Sequence, residues 1–122
     1  MEIERDVKRK DLDVYFSGRF KEQYKKTMAK IDRIPFENAG PGDLGEHEWI
    51  KIEQLEREIR TRGNFFKPDS KDENEFICTV NNLKVYLGRF DGNKAYVRTA
   101  YEYSKQSRNR IKTMDTIRFR GE

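Results

Sequence analysis

The chain has 122 residues and a formal net charge of +4, and 39% of its residues are charged whereas only 34% are apolar. Soluble domains usually carry about 25% charged residues, so the composition predicts one small domain over 1–122 with a thin core and a very charged surface. It excludes a collagen-like repeat, a disulfide scaffold and a membrane span, because the chain has eight glycines, the single cysteine Cys78 and no apolar run of about 18 residues.

The N-terminal part predicts a short strand followed by a helix. Residues 11–16 alternate between polar and apolar side chains, which favours a strand. Ser17 is placed to cap a helix over residues 18–34, whose apolar residues recur on one face of a 3.6-residue period.

A second amphipathic helix is predicted over residues 44–62. Asp43 and Glu46 have the spacing of a capping box at its start, and Gly63 is placed to close it. His47 and Trp49 fall in this helix; we expect a surface role for the histidine and a packing role for the tryptophan.

Residues 75–103 change to a period of two, which predicts a three-stranded meander with turns at Asn81-Asn82 and Asp91-Gly92-Asn93. With a two-residue first turn and a three-residue second turn, Cys78 faces Val85 and one sheet face is almost wholly apolar. The expected fold class is α+β, with an N-terminal strand and two amphipathic helices packed on one face of a three- to four-stranded antiparallel sheet.

Basic and aromatic residues share the opposite face and continue into a basic C-terminal segment, residues 104–122. That segment carries six basic and two acidic residues, a balance of +4 that equals the net charge of the whole chain. Lysine and arginine neutralise phosphates and tyrosine stacks on unpaired bases, so the pattern predicts an RNA partner, although it is also typical of a plain solvent-exposed face. The candidate nucleic-acid-binding residues are Tyr86, Tyr96, Lys105, Arg108, Arg110, Lys112, Arg118 and Arg120.

Three stretches of this region carry a family resemblance: Asn81-Asn82-Leu83-Lys84-Val85, Tyr96-Val97-Arg98 and Ala100-Tyr101-Glu102-Tyr103-Ser104-Lys105. They resemble the RelE/HigB-type toxins, ribosome-dependent mRNA interferases of the barnase/RelE-like RNase superfamily. In that family the final stretch ends H-x-E-Y-D-K; here its histidine is missing and Ser104 replaces its aspartate. The predicted order of strand, two helices and meander is also similar.

The resemblance implies metal-independent RNA cleavage, in which the 2′-hydroxyl attacks the adjacent phosphorus. Cations would stabilise charge on the phosphoryl oxygens, and a tyrosine or Lys105 would transfer the proton. Because tyrosine and lysine have pKa values of about 10, neighbouring cations would have to lower them. The catalytic residues that the resemblance implies are Lys84, Arg89, Arg98, Tyr101 and Tyr103.

Two other classes of function stay open at this point. One is a non-enzymatic nucleic-acid-binding or phage-type inhibitor protein that blocks a nucleic-acid-processing partner, and the other is a protein–protein adaptor. We expect no cofactor and no metal, because the lone His47 has no partner at ligand spacing. The expected partners are RNA or ribosome-bound mRNA and an antitoxin or another protein, with no membrane, and the expected location is the cytoplasm.

Overall fold

The computed structural model describes residues 1–23, 52–80 and 84–122, and its central feature is a seven-stranded sheet. The predictions made for residues 24–51, including His47 and Trp49, and for the Asn81-Asn82 turn lie outside the described residues. The described helices are α1, of which residues 18–23 are described, α2 (Ile52–Arg62) and α3 (Lys105–Ile111). A 3-10 turn covers Arg9–Asp11, and the strands are β1 (Glu2–Arg5), β2 (Asp13–Phe16), β3 (Asn64–Lys67), β4 (Glu75–Thr79), β5 (Lys84–Asp91), β6 (Lys94–Glu102) and β7 (Asp115–Phe119).

The sheet is mixed, with the strand order β1-β7-β3-β4-β5-β6-β2. The edge strands β1 and β2 run parallel to β7 and β6, and the other pairs are antiparallel. The fold class expected from the sequence, with two helices on one face of a three- to four-stranded antiparallel sheet, is therefore wrong. The sequence did not indicate this sheet because β1 and β3 both pair with β7, far along the chain, and local alternation contains no information on such pairings.

The sheet must curl, because its two edges are joined by a short connection. A flat sheet of seven strands would place β1 and β2 roughly 29 Å apart, at about 4.8 Å per strand. The connection from Arg5 to Asp13 would reach about 28 Å only if fully extended, and its 3-10 turn shortens it. The two sides of the sheet are also in contact, because the Arg5 guanidinium at the end of β1 donates to the Gly92 carbonyl, in the turn between β5 and β6, at 2.9 Å.

The inner face of the curled sheet holds the main core. Four phenylalanine rings from β3, β4, β5 and β7 meet there, with neighbouring ring centroids 4.5 Å to 6.2 Å apart. Helix α2 contributes Leu55 and Ile59 to the same cluster. The four rings are those of Phe65, Phe76, Phe90 and Phe119.

Both hairpins of the meander differ from the expected register. The difference is one residue in β4–β5 and next to the β5–β6 turn, and two residues beyond the register shift between Leu87 and Gly88. Cys78 pairs with Tyr86 rather than with Val85, and the β5–β6 turn is one residue shorter than expected. The apolar residues are therefore divided between two faces. Tyr86 joins the inner core, whereas Val85 turns outward and packs with Ile77 under Ile111 of α3.

Two helix boundaries expected from the sequence are confirmed. The Ser17 hydroxyl accepts a backbone hydrogen bond at the start of α1, and α2 ends just before Gly63. Gly63 does not adopt a positive φ. A Cβ there would lie 2.4 Å from the Ile59 carbonyl oxygen and 2.7 Å from the Cys78 sulfur, so close packing, rather than a left-handed conformation, requires the glycine.

A β-bulge between β5 and β6 depends on Gly88. The register shifts between Leu87 and Gly88. A Cβ at Gly88 would lie 2.2 Å from the Tyr96 carbonyl oxygen and 2.5 Å from the Phe76 ring. Both neighbours belong to the packed sheet and core, so a side chain cannot be accommodated without moving them.

The variant Gly88→Ala should lower the free energy of unfolding by about 1–3 kcal/mol, the usual cost of overpacking. Gly18→Ala is the matched control, because no atom lies within 4 Å of a Cβ at that position and alanine favours a helix over glycine. Urea denaturation of both variants measures the difference. Wild-type stability in Gly88→Ala would contradict the role assigned to the bulge.

Arg9 ties the N-terminal connection to α2 and to the last residues of the chain. Its guanidinium forms an ion pair with Glu122, donates to the Gly63 carbonyl at 2.9 Å and lies 4.9 Å from the centroid of the Phe119 ring. The hydrogen bond from Arg9 lowers the pKa of the Glu122 carboxyl below its ordinary value.

Acid should weaken this contact. Glu122 stabilises the fold at pH values above its unfolded-state pKa of about 4.3, and the contribution is lost as the pH falls through the lower folded-state pKa. Between pH values of about 6 and about 3, the wild type should lose more stability than Glu122→Gln, by up to ~1 kcal/mol for a partly exposed pair. Urea midpoints at both pH values test this, and equal losses in the two proteins would refute it.

Candidate nucleic-acid interface

The outer face of the sheet is covered at one end and open at the other. Helix α3 covers Ile77 and Val85, whereas the outer surface of β2 and β6 leaves Tyr15, Tyr96 and Tyr101 exposed by 44%, 37% and 38%. These are the exposed aromatic side chains of the part of the chain that the structure describes. We call the surface that carries them the open face.

Two of these tyrosines form a stacked pair. Parallel pairing of β2 with β6 sets Tyr15 beside Tyr96, with ring centroids 5.4 Å apart and ring planes inclined by 25°. The Lys94 ammonium lies 5.8 Å from the centroid of the Tyr15 ring. The pair is a preformed aromatic surface next to a cation, and unpaired bases stack on surfaces of this kind.

Two arginines flank the tyrosine pair. Arg89 lies opposite Tyr96 in the β5–β6 ladder, and its Nε donates to Asp72 Oδ2 at 2.7 Å. Two hydrogen bonds lower the pKa of Asp72. The one from the backbone N–H of Asn74 has the larger effect, and the one from Arg89 has the smaller. The charge of Arg98, which is exposed on β6 two residues after Tyr96, also lowers this pKa.

A cleft of about 1080 Å³ opens beside Tyr101. Its floor is apolar and includes Ile77 and Leu87. One wall is the connection between β3 and β4, and the other is formed by the end of α3 and the start of β7. The polar lining residues are Lys67, Asp69, Ser70, Glu75, Tyr101, Arg110, Thr113 and Asp115.

Hydrogen bonds within the β3–β4 connection hold one wall of the cleft in place. Lys67 Nζ donates to the carbonyl oxygens of Pro68 at 3.0 Å and Ser70 at 3.4 Å. The Ser70 hydroxyl donates to Glu75 Oε2 at 2.8 Å. The Lys67 ammonium therefore binds carbonyl oxygens of its own connection, and the Ser70 hydroxyl holds the Glu75 carboxylate through one of its two oxygens.

Tyr101 lines the cleft within the electrostatic reach of Arg110. Partial burial raises the pKa of the Tyr101 phenol, and the charge of Arg110 opposes this shift without reversing it. The lowered pKa that proton transfer by Tyr101 would require is therefore absent. A phenol with a raised pKa is protonated at neutral pH and can donate a hydrogen bond.

The structure brings some of the predicted residues to this region and buries others. Tyr86 is only 4% exposed and packs edge-on against Phe20 in the inner core, with centroids 6.3 Å apart. Lys84 lies at the start of β5, partly buried and paired across the ladder with Glu102. The predicted residues that lie on the open face or in the cleft are Arg89, Tyr96, Arg98, Tyr101 and Arg110.

Helix α3 carries a further group of predicted residues. Lys105, Arg108 and Lys112 are exposed, at the start, within and just after the helix. Tyr103 is half-buried against the cluster of Ile77, Val85 and Ile111 on the outer face. The Arg108 guanidinium lies 4.9 Å from the centroid of the Tyr103 ring. This helix follows β6 directly, so its cations lie next to the end of the open face that carries Tyr101.

The last two predicted arginines lie near β1 and make local ion pairs. The Arg118 guanidinium pairs with Glu2 at 2.9 Å and also donates to the Glu122 carbonyl. Arg120 pairs with Asp6 at 3.0 Å. The structure therefore does not bring these two cations to the open face.

The sequence interpretation missed Tyr15 and Glu75. Tyr15 lies between inward-facing residues in the predicted strand 11–16, so its outward orientation could have been predicted, but its pairing with β6 is non-local. Glu75 precedes the buried Phe76, and alternation along β4 places it on the outer face. The sequence did not indicate that α3 and β7 form the wall of the cleft across from Glu75.

The comparisons with known proteins find no matching family model, no matching curated protein and no matching solved structure. The resemblance to RelE/HigB-type toxins therefore stays a prediction. Within residues 1–23, 52–80 and 84–122, no group of three or more His, Cys, Asp or Glu side chains is placed to hold a metal ion. No helix in those ranges is long and apolar enough to cross a membrane.

The variant Arg110→Gln should raise the pKa of Tyr101 further, because it removes the cation that favours the phenolate. Titration of the tyrosine Cζ resonances by ¹³C NMR measures the shift. Arg108→Gln, on the same helix but away from the cleft, is the matched control and should leave the Tyr101 titration unchanged. Identical Tyr101 titrations in Arg110→Gln and the wild type would disprove the proximity of the two groups.

Proposed function

We propose that the chain is a small RNA-binding protein that acts in the cytoplasm and holds single-stranded RNA on the open face. The observation that carries the proposal is the exposed, stacked pair of Tyr15 and Tyr96, which shares this surface with Arg98 and Tyr101. Aromatic side chains on an exposed sheet face are a common means of binding single-stranded RNA. Duplex RNA keeps its bases stacked within the helix, so single strands should bind better.

The basic side chains of α3 support the same proposal. Lys105, Arg108 and Lys112 are exposed, and the helix follows β6, the strand that carries Tyr96 and Tyr101. Cations at this end of the open face would contact the phosphates of a strand whose bases stack on the tyrosines.

Binding without cleavage agrees better with the chemistry of the site than cleavage does. Cleavage of the RelE/HigB type needs a group that accepts the proton of the 2′-hydroxyl, and a phenol whose pKa is raised is a poor base at neutral pH. Arg89, which the resemblance assigns to the phosphate, is ion-paired with Asp72. We therefore favour a non-enzymatic binder that occupies RNA or blocks a nucleic-acid-processing partner over an endoribonuclease toxin.

Fluorescence anisotropy with a labelled RNA of about 12 nucleotides tests the proposal. Tyr96→Ala should weaken binding roughly 5- to 150-fold, because stacking on an aromatic side chain contributes ~1–3 kcal/mol per base. Tyr96→Phe keeps the ring and is the matched control, with affinity near that of the wild type. Equal affinity of Tyr96→Ala and the wild type would eliminate the open face as the RNA site.

The same samples distinguish binding from cleavage. On a denaturing gel the RNA should stay intact, and affinity should fall with salt less steeply in Arg98→Ala than in the wild type. Arg57→Ala, which changes an exposed residue of α2, should leave both affinity and salt dependence unchanged. A cleavage product that disappears in Arg98→Ala would instead favour the endoribonuclease.

A further inference from the structure

We infer that the cleft beside Tyr101 binds a single nucleotide whose base carries an amino group, as cytosine, adenine and guanine do. The inference rests on the proposed function, because the nucleotide would belong to the strand held on the open face. The cleft shares only Tyr101 with the open face, however, and a free mononucleotide can test it separately from the Tyr15–Tyr96 pair.

The size and floor of the cleft suit a base with its sugar and phosphate. Binding sites for small molecules usually enclose about 300–1,000 Å³ and combine an apolar lining with a few polar groups. This cleft has a volume of about 1080 Å³, and its floor includes the buried Ile77 and the half-buried Leu87. Its polar side chains surround these apolar residues, where they can meet the edges of a base that covers them.

Arg110 is the group that can hold the phosphate. Its side chain is exposed, lines the cleft, and makes no ion pair or hydrogen bond with another residue in the described ranges. An arginine fork binds phosphate oxygens in a bidentate manner. The nearby phenol of Tyr101, which is protonated at neutral pH, is a further donor for the same phosphate or its sugar.

Glu75 is the group that can select the base. Its Oε2 accepts from Ser70, while its Oε1 has no hydrogen-bond partner among the described residues. A carboxylate can only accept hydrogen bonds. It therefore favours a base that presents an amino group and disfavours uracil, which presents a carbonyl oxygen where cytosine has its amino group.

The other charged side chains of the cleft either have partners of their own or are exposed, so Arg110 and Glu75 are the main contacts. Lys67 donates to carbonyl oxygens of its own connection, and Asp115 lies 3.6 Å from the N-terminal amine of Met1. Asp69 is exposed at the rim. The cleft thus offers a cation on one wall and an acceptor on the other, which matches a ligand with a phosphate at one end and an amino group at the other.

Cytidine and uridine monophosphate form the sharpest pair of probes, because one presents an amino group where the other presents a carbonyl. Isothermal titration of the full chain should show that the cytidine nucleotide binds roughly tenfold tighter, as expected for a hydrogen bond to a charged acceptor. Glu75→Gln should bring the ratio of the two affinities close to one. Arg110→Gln should weaken the binding of cytidine monophosphate but not that of cytidine. Arg57→Gln, which changes an exposed residue of α2 outside the cleft, should change neither; circular dichroism confirms that each variant is folded.

The outcomes separate this inference from the proposed function. Tyr96→Ala should bind cytidine monophosphate as the wild type does, although it loses affinity for the RNA strand. Selective mononucleotide binding without RNA binding would support the cleft and reject the open face. Absence of binding at about 5 mM nucleotide, equal affinities for the two nucleotides, or an unchanged preference in Glu75→Gln would each overturn the inference.

Discussion

The contact among the rings of Phe65, Phe76, Phe90 and Phe119 is the interaction on which the rest of the structure depends. The four rings come from four strands, and each is at most 2% exposed. Truncating a buried phenylalanine typically costs about 3–5 kcal/mol, so a cluster of four is a large share of what a chain with 34% apolar residues can contribute. The cluster lies inside the curl, and the Arg5 guanidinium closes over it, 4.0 Å from the centroid of the Phe90 ring.

The same packing fixes the geometry of the open face. Ala95 and Val97 are fully buried on the inner side of β6, so Tyr96 between them must point outward. A slip of one residue in β6 would bury Tyr96 and expose Val97, which would remove an apolar side chain from the core and destabilise the fold. The parallel pairing of β2 then brings Tyr15 beside Tyr96. The stacked pair is therefore a consequence of the core, and its orientation exists before any ligand binds.

Local features of the fold could be predicted from the sequence, whereas non-local pairings could not. Ser17 and Gly63 mark helix ends through contacts with residues three or four positions away. The hairpin register depended on whether Tyr86 or Val85 faces the core, and both residues are apolar enough for a strand interior. Packing decided in favour of Tyr86, and the bulge at Gly88 shifted the ladder again. A pattern of alternation contains neither piece of information.

The candidate site shows the same division. Alternation along the meander was sufficient to place Tyr96 and Arg98 on the outer face. It places Tyr101 on the opposite face, and only the register shift between Leu87 and Gly88 brings that side chain outward. Alternation could not reveal Tyr15 or Glu75 as neighbours of these residues, because that depends on the parallel β2–β6 pairing and on how α3 and β7 lie beside β4. The burial of Tyr86 follows from the register, which the alternation had placed one residue away.

The number of basic residues overstates the positive charge that a strand on the open face would meet. Arg118 and Arg120 are neutralised by acidic partners near β1, and Arg89 is neutralised by Asp72. The cations left beside the tyrosines are Lys94, Arg98 and those of α3. Each phosphate contact steepens the logarithmic salt dependence of single-strand binding by only about 0.7, so a few contacts give a shallow dependence. Recognition on this surface must therefore rest on stacking more than on charge, and stacking persists at physiological salt.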